Sequence, residues 1–106
     1  MTGALAVFDG IVAMRIGLCT VDLYIPGTTS LKGKRRVIKS LKERLRNRFN
    51  VSVAEVDHHD LLQRAAIAAA MIGQDGRKLN SDMEKVIAFI EQAAGADLID
   101  HQIEIL

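Results

Sequence analysis

Between Ser30 and Phe49 the chain reads SLKGKRRVIKSLKERLRNRF, and that stretch leaves little choice of conformation. Leu31, Ile38, Leu41, Leu45 and Phe49 recur at spacings of three, four and seven, which puts them on one face of a 3.6-residue helix. At about 100° per residue, Lys32, Arg35, Arg36, Lys39, Lys42 and Arg46 gather on the flank away from that apolar stripe. The segment holds nine of the chain's fourteen Lys and Arg residues against Glu43 alone; it is +8 and the remainder −7, so the total of +1 conceals a two-sided molecule. Like charges at i,i+4, such as Arg35 with Lys39, cost a few tenths of a kcal/mol per pair. A helix that keeps six bases on one flank tolerates a repulsion that an anionic partner relieves.

The elements on either side follow from period and punctuation. Met14 to Ile25 alternates, with Thr20 and Asp22 on one face and Cys19, Val21, Leu23 and Ile25 on the other, a half-buried strand stopped by Pro26-Gly27. Ser30 is placed to cap the basic helix, although Gly33 stands where a capping box needs Glu or Gln. Val51 to Val56 reads as a second strand. Arg64 to Gly73 is rich in alanine, which favours helix, but its length and the turn cluster Gly73-Gln74-Asp75-Gly76 favour a strand. Leu79 to Ala94 is a second helix, with Asn80 or Ser81 as cap, Asp82 and Glu84 at its positive end, an inner stripe of Met83, Val86, Ile87 and Ile90, and Gly95 as stop. Ala96 to Leu106 closes as a strand with Ile99, His101, Ile103 and Ile105 on one face.

The order β-α-β-β-α-β predicts an α+β, ferredoxin-like fold, a four-stranded antiparallel sheet with two helices on one face. At 106 residues it is one domain, residues 14–106, preceded by an appendage at 1–13 that either frays or adds a strand. Met14 reads as an alternative start. Met1 to Val12 is apolar, yet it is short, lacks a basic lead and contains Asp9, so neither a secretory signal nor a membrane span is expected. The lone Cys19 fits a buried thiol in a reducing cytoplasm. Because Ala65 to Ile72 is apolar throughout, both faces of that strand should be covered. Helices cover one; a second copy of the chain is expected on the other, giving a homodimer, with coverage by residues 1–13 as the alternative.

Outside the helix, chemistry-bearing groups are few. Asp57, His58, His59 and Asp60 include metal-capable side chains, but neighbours at a strand end point to opposite sides, so no metal or other cofactor is expected. His58 beside Asp60 and Arg64 forms a second candidate site, and as a trio it supports a small-hydrolase reading. No catalytic residue is assigned, because nothing pairs Ser or Cys with His at recognisable spacing and no phosphate-binding glycine motif is present. Acylphosphatases share the expected topology, but their loop motif is absent from Pro26 to Ser30. Base stacking in the manner of RNA-recognition motifs is also excluded, since the third strand offers Ala and Ile and the first only Tyr24. Any nucleic-acid contact then runs through the helix to phosphates, with steep salt dependence and little sequence discrimination.

The runs IGLCTVDLYIPGTTSLKGKRRVIKSLKERLRNRFNVSVAEVDHHDLLQRA and the closing IEIL resemble the YlxP-like family of small bacterial proteins of unknown function, over residues 14–106. The most specific part is Ser30-Leu31-Lys32 with Lys34-Arg35, continuing through Asn47 to Val51, Glu55, His58, Asp60, Gln63 and Arg64. The chain departs from the family at Gly33, commonly Glu, and at Leu62, commonly Trp. The resemblance implies a ferredoxin-like fold and a gene placed among those for translation initiation and ribosome maturation. It implies no catalytic residues. The expectation is a cytoplasmic, non-enzymatic protein whose Lys32, Arg35, Arg36, Lys39, Lys42 and Arg46 contact the phosphates of structured RNA, ribosomal RNA or the ribosomal particle. The alternative is a protein–protein adaptor of the translation or ribosome-maturation machinery.

Overall fold

The computed structural model describes residues 14–93 and 95–106; the expected appendage at 1–13 lies outside the described residues. The elements are β1 (Arg15–Tyr24), α1 (Leu31–Arg48), β2 (Ser52–Asp57), β3 (Arg64–Gly73), α2 (Gly76–Glu91) and β4 (Asp97–Ile105). They form one four-stranded sheet in the order β2-β3-β1-β4 with every neighbouring pair antiparallel, the ferredoxin-like α+β arrangement. The alanine-rich segment is a strand because β1 and β2 pair with it on both sides; that ladder outweighs the helical preference of alanine.

Alternation along β1 sends Cys19, Val21, Leu23 and Ile25 beneath the helices, where each is buried. They meet Ile67 and Ala69 of β3, Val53 of β2, Ile38, Leu41 and Leu45 of α1, and Met83, Val86, Ile87 and Ile90 of α2. Helix α1 lies over β2, and α2 over β1 and β4. The helices meet where Phe49 packs edge-on against Phe89, with centroids 5.8 Å apart.

Two expectations change. Helix α2 starts earlier, capped by Asp75, whose Oδ1 accepts from the backbone N–H of Arg77 at 2.9 Å. Asp75 serves because nothing after it interrupts the helix. Asn80 is therefore internal, donating to Glu84 at 3.0 Å, and Asp82 pairs with Lys78 instead of serving the helix end. In β4 the register shifts opposite Asp22 and Leu23, so Leu98 faces Leu23 and Ile99 is the extra residue, 51% exposed, rather than a partner of Ile103. The helices leave the outer face of β3 only partly shielded in the single chain, where Ile72 is 69% exposed.

The helical spacing 31, 34, 38, 41, 45 puts Lys34, not an apolar residue, on the core side of α1, and its side chain is 2% exposed. Its Nζ lies 3.0 Å from Glu55 Oε2 on β2 and donates to the carbonyls of His58 and His59 in the loop after β2. A buried ammonium with three oxygen partners ties α1 to the sheet edge and to that loop.

Two outcomes follow from this core. Lys34→Ala strands the Glu55 carboxylate and two carbonyls, so urea unfolding should show a loss of about 3 kcal/mol, while Lys34→Met with Glu55→Gln should recover part of it. Burial pushes the Cys19 thiol above its usual range, against a smaller opposing hydrogen bond with the Ala69 backbone. Its deprotonated, reactive form is correspondingly scarce. A thiol reagent at pH 8 should label native protein about a hundredfold more slowly than protein in denaturant.

Candidate nucleic-acid interface

Ser30 caps α1 as expected, its Oγ accepting from Gly33 N–H at 3.0 Å. The nine bases of the segment then part company. Lys34 is interior, and the guanidinium groups of Arg44 and Arg48 lie over the Phe89 ring at 5.7 and 5.6 Å from its centroid. Arg46 donates to the Val53 carbonyl on β2 at 3.1 Å, so one of its donors is already committed. Lys32, Arg35, Arg36 and Lys39 are exposed and Lys42 is half-buried. Among the described residues none of these five makes an ion pair with an acid of its own chain.

Arg35, Lys39 and Lys42 line one side of a groove of about 360 Å³ between α1 and β2. Its remaining lining is Leu31, Lys34, Ile38, Glu55 and His59. The Nε2–H of His59 donates to the Glu55 carbonyl at 3.1 Å, holding the imidazole against the strand. Sequence reading missed the groove because it needs β2 beside α1. The lysine in the apolar spacing at position 34 was the available signal.

The trio His58, Asp60 and Arg64 does not assemble. Arg64 pairs with Asp22 of β1, and Asp60 stands apart in solvent. His58 has φ +63° and sits with Nε2 4.0 Å from Asp22 Oδ1 and Nδ1 3.9 Å from Asp57 Oδ1. Asp22 therefore takes the place expected for Asp60, because the strand pairing sets Tyr24 opposite Arg64 and brings Asp22 within reach of its long side chain. His58 turns toward Asp22 and His59 toward the Glu55 carbonyl and the α1 groove, so the two imidazoles diverge in the loop after β2. Among the described residues no three His, Cys, Asp or Glu side chains are grouped to hold a metal ion. Nor, among these residues, is any helix long and apolar enough to cross a membrane.

The sheet face away from the helices carries Ala66, Ala68 and Ala70 of β3 beside Leu18 and Thr20 of β1 and Ala54 of β2. Tyr24 at one end is 39% exposed.

Comparison with known proteins places the molecule. The family model described as "Protein of unknown function (DUF503)" matches residues 16–103. The uncharacterized protein YlxP of Bacillus subtilis (strain 168) is 33% identical over 76 residues, covering 72% of this chain and 83% of that protein. The match spans β1 through most of β4, so the ion-paired Lys34, the basic flank of α1 and the loop after β2 all lie inside the shared region, and the chain belongs to the DUF503 family, the YlxP-like proteins of unknown function.

Proposed function

We propose that the protein is a cytoplasmic, non-enzymatic binding protein that docks on structured RNA, ribosomal RNA being the class in view, through the exposed flank of α1. The observation that carries this reading is the set of exposed Lys32, Arg35, Arg36 and Lys39 with half-buried Lys42, none of which has an acidic partner among the described residues. Arg46 contributes with whichever donors its bond to Val53 leaves free. Unscreened like charges along one helix flank are stabilised when a polyanion replaces their counterions. The adaptor reading draws on the same charges and differs in its partner, an acidic protein surface. A hydrolase built on His58, Asp60 and Arg64 loses support, since those groups do not converge.

A second copy is proposed on the open sheet face. The small side chains of Ala54, Ala66, Ala68 and Ala70 make that face flat enough for close approach, and Ile72 and Tyr24 supply exposed apolar area at its ends.

Filter binding of a ribosomal RNA fragment between 50 and 200 mM salt should show affinity falling by about a hundredfold, as expected for four or five phosphate contacts. Changing Arg35, Lys39 and Lys42 together to Glu should lower affinity at least tenfold and flatten the salt slope by about three units. A flat slope for the unaltered protein, or no loss in the variant, ends the reading; co-purification that survives RNase favours the adaptor instead. Light scattering should report a dimer that Ala68→Arg converts to a folded monomer, and an unchanged mass in that variant removes the sheet face from the assembly.

A further inference from the structure

We propose that the groove between α1 and β2 takes one unpaired nucleotide of a bound RNA, its base against Leu31 and His59 and its phosphates on Arg35, Lys39 and Lys42. The proposal rests on the phosphate-binding reading of α1 and adds what that surface selects.

The groove combines two chemistries that a plain backbone-binding surface does not need together. Its cationic side is Arg35, Lys39 and Lys42 at the i, i+4, i+7 positions of α1, and its apolar wall is Leu31 and Ile38 on the same helix. A duplex needs only the convex flank for its phosphates. The concave space of about 360 Å³ lies at the small end of ligand pockets, which run from about 300 to 1,000 Å³, and admits a single base rather than a helix.

The far wall is suited to a planar heterocycle. His59 is exposed but its imidazole is fixed to the Glu55 carbonyl, so a flat ring waits at the rim without needing to be ordered. Beneath it the Glu55 carboxylate, 17% exposed, faces the buried ammonium of Lys34 at 3.0 Å. That ammonium cancels the carboxylate's repulsion of an anionic ligand while leaving it an acceptor. An acceptor-only group favours bases that carry an exocyclic amino group, such as cytosine or adenine, over uracil.

The occupant is not an added peptide strand. Two carbonyls of β2, those of Val53 and Glu55, already accept from Arg46 and His59, so this sheet edge cannot offer them to an incoming backbone.

The test is fluorescence anisotropy at fixed salt with four RNA hairpins of one stem: fully paired, with a single bulged C, with a bulged U, and with a bulged abasic site. The bulged C should bind about tenfold tighter than the paired and abasic forms, and several-fold tighter than the bulged U. His59→Ala, at an exposed position, should bring the bulged C to the level of the paired hairpin without altering the salt slope. Equal, salt-dependent binding of all four hairpins overturns the groove proposal and leaves phosphate binding standing. Failure to bind any hairpin ends both.

Discussion

A charged nitrogen with almost no access to water holds together the two parts of this molecule that matter. Lys34 sits where helical spacing demands an apolar residue, and an ammonium in that position is tolerable only with its hydrogens answered. The carbonyls of His58 and His59 accept from it, and the Glu55 carboxylate, 3.0 Å away, balances its charge. Because those partners lie on β2 and in the loop after it, the same bonds set the distance of α1 from the sheet edge. They also fix the peptide units of a loop that hydrophobic contacts would leave loose. The left-handed backbone of His58, at φ +63°, costs a non-glycine residue about 1–2 kcal/mol, and the Lys34 bond to its carbonyl is one interaction that keeps it there. With the backbone turned that way, His58 goes to Asp22 and His59 to the groove.

Charge on a sequence and charge on a surface are different quantities, and α1 shows how they separate. Lys34 leaves the surface altogether. Arg44 and Arg48 spend their charge on the face of Phe89, which fastens the end of α1 to α2. Arg46 and His59 each take a carbonyl of β2, an edge strand that would otherwise offer its backbone to other chains. What remains is a narrower field than the +8 of the segment, directed outward and toward the groove. Since charges further apart than about 8–10 Å are screened at physiological salt, it is this remaining local set, and not the net charge of +1, that an approaching polyanion meets.

The parts of the fold that were legible in the sequence are those that period and punctuation determine. The apolar spacing of α1, the alternation of β1 and the Ser30 cap needed only neighbours in the chain. Arg64 to Gly73 was resolved by topology rather than by propensity. The start of α2 was misplaced because Gly73-Gln74-Asp75-Gly76 reads equally as a turn and as a helix cap. The shift at Ile99 was invisible, because an extra residue in a strand shows itself only against the register of its partner. Of the candidate site, the basic flank was legible, but the exchange of Asp60 for Asp22 was not. That exchange depends on which strand lies beside β3, a relation spanning more than forty residues of chain. Lys34 stands plainly in the 31, 34, 38, 41, 45 spacing, yet charge counting alone assigns it no place inside the fold.

The two proposed contacts occupy opposite faces of one sheet, and this has consequences for how they combine. A second copy against Ala66, Ala68 and Ala70 would leave α1 uncovered in both copies, so each assembly would present two basic flanks and two grooves. Linked binding of that kind raises affinity for an RNA that reaches both and gives nothing on one that does not. Selection would then arise from the spacing of unpaired nucleotides as well as from their identity. The loop after β2 is common to both faces: Lys34 grips it from within the groove's wall, while His58 and Arg64 meet at Asp22 on the other side. A ligand that drew Glu55 toward itself would take one of the three oxygens from around Lys34 and leave the bond to the His58 carbonyl in place. The rigidity of the groove and the conformation of the opposite face thus depend on the same buried ammonium.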